Sequence, residues 1–249
     1  MKKRFGMLLT IILFCLSFCT NAMGEHFALR SRDVGPCGKL LGKVEIIVVF
    51  VNTPQHPWTD KKKQEVYKIS DSSLKFMRKN AKQYHANVNF DHVGYLEFTV
   101  NSEAGIEGGS DWYWEIIHNV YHEKSIAQVY DRYRHDDGVD EAPMIFMFNS
   151  WDRSYTSCGH SEEYCVIFCD TKMHNNYLTH ELYHLYGAID YYDYNGEGVE
   201  KIARKYFPKN VMACTGNNID DLTAYILGWT DTLSNKAQKF LQETEGMRQ

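Results

Sequence analysis

The chain has 249 residues, of which 44% are hydrophobic and 24% are charged, and its formal net charge is −5. This composition is ordinary for a globular protein and excludes a disordered chain, a collagen-like repeat and a coiled coil. Because the chain has no excess of basic residues to neutralise a phosphate backbone, we expect no nucleic-acid partner.

Residues 1–22 have the pattern of a secretory signal peptide. Basic residues at positions 2–4 precede an apolar run of roughly 14 residues, and small or polar residues follow it. A membrane-spanning helix needs about 20 apolar residues, so we expect no integral membrane domain. The pattern predicts export to the periplasm, the cell surface or the medium. An uncleaved membrane anchor is one alternative, and lipidation at Cys19 is another, although Phe18 is bulky for a lipoprotein signal.

The remainder of the chain contains no internal repeat and no low-complexity segment, which favours a single domain. We expect residues 23–43 to form an N-terminal extension and residues 44–249 to form the folded domain, acting as a monomer.

The predicted elements alternate between strands and helices in the first half of the chain. Residues 44–51 are almost continuously apolar and β-branched, which predicts a buried central strand. Residues 60–84 have helical periodicity, residues 87–100 alternate as a strand does, and residues 112–133 are again helical.

Two short apolar runs follow, and the rest of the chain is rich in loops and helices. Residues 143–148 predict a buried strand, and residues 165–169 predict a short strand near an edge of the sheet. The fold class predicted by this order of elements is α/β, of the α+β type.

Export would place the cysteines in an oxidising compartment, where disulfide bonds form. Outside the predicted signal these are Cys37, Cys158, Cys165, Cys169 and Cys214. On one strand, Cys165 and Cys169 would have Cα atoms about 13 Å apart, which is too far for a disulfide. We therefore expect Cys158 to pair with one of these two or with Cys214.

The strongest functional pattern is HELYHLYGAID at residues 180–190, which contains H-E-x-x-H. On a helix, residues four apart lie on the same face, so His180 and His184 can bind one Zn²⁺ ion at Zn–N distances of about 2.0–2.1 Å. Glu181 then lies beside the metal, where its carboxylate can act as the general base that deprotonates water.

The residues after the second histidine predict a third ligand. Gly187 can adopt a left-handed backbone, which ends the helix and turns the chain sharply. Asp190 is placed after that turn and is the expected third metal ligand, with Asp193 as a possible substitute.

The pattern at residues 180–190 resembles the extended zinc motif of the metzincin metallopeptidases, and it is most similar to the snapalysin-like branch, in which Asp replaces the third His. Residues 210–213, Asn-Val-Met-Ala, resemble the Met-turn of that family, which implies that Met212 lies beneath the histidines without binding the metal. The position two residues later is Cys214, where some metzincins have a tyrosine that stabilises the transition state.

The resemblance implies a zincin fold. Such a fold has a twisted mixed sheet, an edge strand above the zinc helix and a helical C-terminal subdomain after the Met-turn. It also implies a secreted zinc endopeptidase that acts on proteins or peptides. Two alternatives stay open, namely a hydrolase of narrow specificity for cell-wall peptides and a secreted binding or adhesion protein on an inactive scaffold.

Two further features near the site have competing interpretations. Cys37 precedes the first strand, where a thiolate could serve as a zymogen latch on the zinc, although a disulfide to a later cysteine is the simpler reading. The tyrosines around the motif could donate a hydrogen bond to a developing oxyanion, but most are expected to pack in the core.

Overall fold

A computed structural model describes residues 36–103, 110–157, 162–169, 176–192, 198–213, 216–245 and 247. The predicted signal peptide with Cys19, the alternative ligand Asp193, and the cysteines Cys158 and Cys214 lie outside these residues.

A five-stranded mixed sheet forms the centre of the described part of the chain. Its strands are β1 Gly42–Asn52, β2 Val88–Thr99, β3 Met144–Phe148, β4 Tyr155–Ser157 and β5 Tyr164–Phe168, in the spatial order β2-β1-β3-β5-β4. All neighbouring strands are parallel except β4, which pairs with β5 in the antiparallel direction. The prediction of a mixed α/β architecture is therefore confirmed.

The central strands are apolar because both faces of the sheet are covered. Every residue of β3 is buried, and the same holds for β1 from Ile46 to Val51. Parallel strands in this position lose contact with water on both faces, which is why their sequences do not alternate. Trp112 is part of the cover on one face, where its ring contacts Phe146 and Phe148 edge-on.

Seven helices surround the sheet in the described residues: α1 Asp60–Gln83, α2 Asp111–Trp114, α3 Ile126–Asp137, α4 Tyr177–His184, α5 Val199–Tyr206, α6 Asp221–Ile226 and α7 Asn235–Thr244. A π-helical turn, Glu115–Val120, continues α2, and a 3₁₀ turn occupies Val211–Ala213. Helix α1 begins where predicted, because the side chain of Thr59 accepts a hydrogen bond from the backbone N–H of Lys62.

The prediction of one helix over residues 112–133 is wrong, because the chain breaks between Val120 and Ile126. His122 adopts a left-handed backbone with φ of 59°, which a continuous helix cannot include. Ser125 then caps the next helix by accepting a hydrogen bond from Gln128. The apolar spacing continues across this break, so periodicity alone did not reveal it.

The segment Pro36–Leu41, which we expected to belong to an N-terminal extension, is packed into the folded unit. Leu40 is fully buried. Its N–H donates to the main-chain oxygen of Leu227 at 3.0 Å, and its own oxygen accepts from the indole of Trp229 at 2.9 Å. The folded unit therefore extends at least to Pro36, and its first residues contact the loop after α6.

The prediction of a short strand near an edge of the sheet is confirmed by β5. Strand β5 lies next to the edge, and the edge strand is the three-residue β4, which the sequence did not reveal. Helix α4 contacts both β4 and β5. In the described part of the chain, we find no helix with the length and hydrophobicity that a membrane span requires.

Candidate metal centre

Three side chains bring their ligand atoms together at the end of α4. Nε2 of His180 and Nε2 of His184 lie 3.1 Å apart, and Oδ1 of Asp190 lies 3.1 and 3.2 Å from them, respectively. Ligand atoms of a tetrahedral zinc ion lie about 3.3 Å apart when each is about 2.0–2.1 Å from the metal. The triangle therefore has the size that a small four-coordinate cation needs. In the part of the chain that the structure describes, it is the one group of this kind.

Backbone carbonyls orient both imidazoles. Nδ1 of His180 lies 3.1 Å from the main-chain oxygen of Val211, and Nδ1 of His184 lies 2.6 Å from that of Ala188. Because a carbonyl oxygen can only accept, Nδ1 is the donor in each contact, and the tautomer with its proton there has its lone pair on Nε2. Such partners for the second nitrogen are characteristic of histidines that bind metals. Two lone pairs and a carboxylate oxygen thus face one another, an arrangement that a cation between them would stabilise.

Asp190 is an anion in this site. Burial raises the pKa of its carboxyl group, but the neighbouring side chains of His180, His184 and Tyr192 outweigh burial and keep that pKa well below its usual range. The Tyr192 ring also lies nearly parallel to the His180 ring, with centroids 6.4 Å apart. Tyr192 therefore lies beside both the His180 ring and the Asp190 carboxylate.

The turn after α4 brings Asp190 back to the histidines. Helix α4 ends at His184, and Gly187 has a φ of 85°, in the left-handed region that favours glycine. The N–H of Ala188 donates to the oxygen of Tyr183 at 3.1 Å, which closes the turn. The predicted left-handed turn at Gly187 is confirmed. It reverses the chain and so brings the Asp190 carboxylate next to the two histidines.

Tyr191 anchors the residue next to Asp190 in the core. Its ring contacts Phe207 and Phe240 at centroid distances of 5.6 and 5.2 Å, which ties it to helices α5 and α7. Its hydroxyl lies 3.2 Å from Oδ1 of Asp220, the residue that caps α6. The C-terminal helices thus hold the chain that carries the third ligand atom.

The predicted Met-turn lies directly against this site. Met212 is fully buried in the turn, and its N–H donates to Oδ1 of Asn210 at 2.6 Å. The oxygen of Met212 accepts from the N–H of Tyr191 at 3.0 Å, while the preceding oxygen, of Val211, contacts His180. The turn therefore connects helix α4 to the segment that carries Asp190.

Glu181 is buried beside the triangle and is not one of its members. Its Oε2 accepts a hydrogen bond from the hydroxyl of Thr156 at 2.8 Å, and the same hydroxyl lies 2.9 Å from the main-chain oxygen of Glu181. Thr156 is the middle residue of β4. Sequence reasoning missed this contact because a three-residue strand has no alternation to detect.

The structure does not bring Cys37 to the metal site. Its N–H donates to Oε2 of Glu163 at 2.6 Å, and it is absent from the group of converging ligand atoms. Burial and the carboxylates of Glu163 and Glu141 raise the pKa of the Cys37 thiol, so it is neutral and unsuited to bind zinc. Cys37 carries a free thiol, and no disulfide joins it to Cys165 or Cys169. This placement supports neither the latch nor a disulfide at this cysteine.

The tyrosines around the motif mostly pack in the core. Three of them are fully buried, namely Tyr183, Tyr186 and Tyr191, and Tyr192 is partly exposed. Burial also raises the pKa of Tyr183 and Tyr186, so both stay neutral.

No protein-family model matches this chain, and no curated protein matches it. The likeness to metzincins therefore depends on the motif residues and on the geometry of the site.

Proposed function

We propose that this protein is a secreted zinc-dependent endopeptidase of the metzincin type. The observation that carries the proposal is the triangle formed by Nε2 of His180, Nε2 of His184 and Oδ1 of Asp190, with sides of 3.1–3.2 Å. Support also comes from the buried carboxylate of Glu181, which is the next residue after the first histidine.

The donor set fits zinc. Two imidazole nitrogens and one carboxylate oxygen are a common set of three protein ligands in catalytic zinc sites, where a fourth position stays open. The same ligand set accepts other first-row metals. The proposal of zinc therefore relies on the H-E-x-x-H motif and on the availability of zinc to the protein. When bound, zinc would supply Lewis acidity, which makes water more acidic and polarises the carbonyl of a peptide bond.

Glu181 would carry the proton during hydrolysis. One oxygen of its carboxylate, Oε2, is held by the hydroxyl of Thr156, and this leaves the other oxygen to take a proton from water. The same carboxyl group would then donate that proton to the leaving amine of the cleaved peptide bond. Because Glu181 and His180 are both buried, bulk water has little access to compete for this proton.

The position of β4 supports a peptide as the substrate. In the described residues β4 pairs with β5 along one side, and its other side is an edge. The unpaired backbone groups of an edge strand can bind an extended peptide by strand addition. A peptide bound there would lie next to Glu181, because Thr156 of the same strand contacts that residue.

The test compares the wild type with Glu181→Gln and His184→Ala on casein and on a mixed peptide library, together with the zinc content of each protein by mass spectrometry. We expect one zinc per wild-type chain and cleavage of both substrates. Glu181→Gln should keep its zinc and lose cleavage, whereas His184→Ala should lose both.

A wild-type protein that binds zinc and cleaves nothing would overturn the proposal in favour of a binding protein. Export is tested separately, by sequencing the N-terminus of protein recovered from outside the cytoplasm. The proposal expects a terminus after residue 22 and before Pro36.

A further inference from the structure

The C-terminal half of α1 and the residues after it carry concentrated positive charge. Residues 72–90 contain four Lys and Arg residues and no Asp or Glu, although the whole chain has a net charge of −5. Basic side chains in the last turn of a helix complement its dipole, which accounts for Lys82. The dipole does not account for the earlier members of the group, which lie further from the helix end.

A cavity of ≈ 410 Å³ opens at the surface between this end of α1 and the first residues of β2. Arg78, Lys82 and His85 line it, together with the amide of Asn89 and the apolar side chain of Val88. No acidic side chain among the described residues lines it. Its volume falls within the range of about 300–1,000 Å³ that is usual for small-molecule sites.

The guanidinium group of Arg78 is fixed in place at this cavity. Nε donates to the main-chain oxygen of Phe90 at 3.2 Å, and Nη2 donates to the same oxygen and to that of Asp91. These bonds do not use Nη1. A guanidinium group that is already ordered loses little conformational entropy when it binds an anion.

His85 occupies a backbone position where glycine is usual. It follows the last turn of α1 with a φ of 52°, and the N–H groups of His85 and Ala86 donate to the oxygens of Lys82 and Ala81 at 3.2 and 3.1 Å. This is the Schellman arrangement, whose left-handed residue is most often Gly. The fold would accept Gly at position 85 without strain, so the imidazole at the cavity is not required to end the helix.

We propose that this cavity binds an oxyanion-bearing ligand, namely a phosphate or sulfate monoester about the size of a monosaccharide ester. Arg78 and Lys82 supply charge and hydrogen-bond donors for the oxyanion. His85 and Asn89 add further donors, and Val88 offers an apolar surface to the remainder of the ligand. The site is separate from the metal centre and does not depend on the proposed peptidase activity.

The test is calorimetric titration of the wild type with glucose 6-phosphate, glucose 6-sulfate and inorganic phosphate, with glucose as the neutral control. We expect saturable binding of at least one ester and none of glucose. The relative affinities of the two esters then distinguish a phosphate ligand from a sulfate ligand. Lys82→Gln and His85→Gly should each weaken binding at least fivefold.

The matched control is Lys79→Gln, which removes the same charge from an exposed position of α1 that does not line the cavity. We expect it to weaken binding less than twofold. His85→Gly should not lower the melting temperature, so a loss of affinity in that variant cannot be attributed to misfolding. Equal losses in Lys79→Gln and Lys82→Gln, or the absence of saturable binding by any ester, would overturn the proposal. So would binding that persists in Lys82→Gln and His85→Gly but disappears in His184→Ala.

Discussion

The hydroxyl of Thr156 lies within hydrogen-bonding distance of both the Oε2 atom and the main-chain oxygen of Glu181, at 2.8 and 2.9 Å. One side chain of the edge strand can therefore hydrogen-bond either the carboxylate or the main chain of the helix that carries it. Because a hydroxyl has a single proton, it can donate to only one of these two oxygens at a time.

Replacing Thr156 should impair catalysis without removing the metal. We expect Thr156→Val to lower kcat by about tenfold, since Glu181, the proposed general base, loses the hydrogen bond that orients it, while zinc content and KM change little. Thr156→Ser keeps the hydroxyl and should recover most of the activity. Steady-state kinetics on a peptide substrate and metal analysis measure both effects. Wild-type kcat in the valine variant would show that Thr156 does not position Glu181.

Removing the metal should lower the melting temperature. A ligand that binds only the folded state, at about 100 times its Kd, stabilises it by about 2.7 kcal/mol, which corresponds to roughly 5–10 °C in a domain of this size. Chelation of wild-type protein followed by readdition of zinc should show this difference by calorimetry. In Asp190→Ala the difference should become much smaller, because one of three ligand atoms is gone. An undiminished zinc-dependent shift in that variant would exclude Asp190 as a ligand.

The buried carboxyl group of Glu141 should make the protein less stable as the pH rises. Burial raises the pKa of Glu141 to about 7, even though Arg134 lies 3.1 Å away and lowers it. The folded state therefore holds this proton more tightly than the unfolded state. The stabilisation is fully present below the ordinary pKa of 4.5 and is lost as the pH rises through about 7.

The loss amounts to about 3 kcal/mol of unfolding free energy. Chemical denaturation at pH 5 and pH 8 should therefore show a smaller decrease in Glu141→Gln than in the wild type. The comparison between the two proteins removes the contribution of other titrating groups. Parallel decreases in the two proteins would mean that Glu141 titrates near its ordinary pKa.

Shortening the Leu40 side chain should lower the stability of the folded protein markedly. Its side chain is fully buried, so Leu40→Ala should lower the free energy of unfolding by about 2–5 kcal/mol. Leu41→Ala is the matched control, because Leu41 is only partly buried. Urea denaturation measures both variants. Equal effects at the two positions would indicate that the segment Pro36–Leu41 is not packed as described.

The sequence predicted the parts of the site that depend on local geometry. His180, His184 and Asp190 lie within eleven residues, and helical spacing with the left-handed turn at Gly187 is enough to bring them together. The same local logic predicted the start of α1 at Asp60 and the apolar strands β1 and β3.

The partners that complete the site are distant in sequence and have no local signature. Thr156 is 25 residues before Glu181, and the Val211 oxygen that orients His180 is 31 residues after it. A main-chain oxygen carries no side-chain identity, so no motif could have revealed the second of these contacts. The placement of Cys37 away from the metal likewise depends on Glu163, 126 residues later, through a contact that spacing cannot predict.

The bond between Trp229 and Leu40 joins residues 189 positions apart. A newly made chain cannot form this bond until Trp229 has been synthesised, because Leu40 has no partner for it before then. Loop closure over this distance is slow compared with local helix formation. The first residues of the folded unit thus stay undocked until synthesis has passed Trp229.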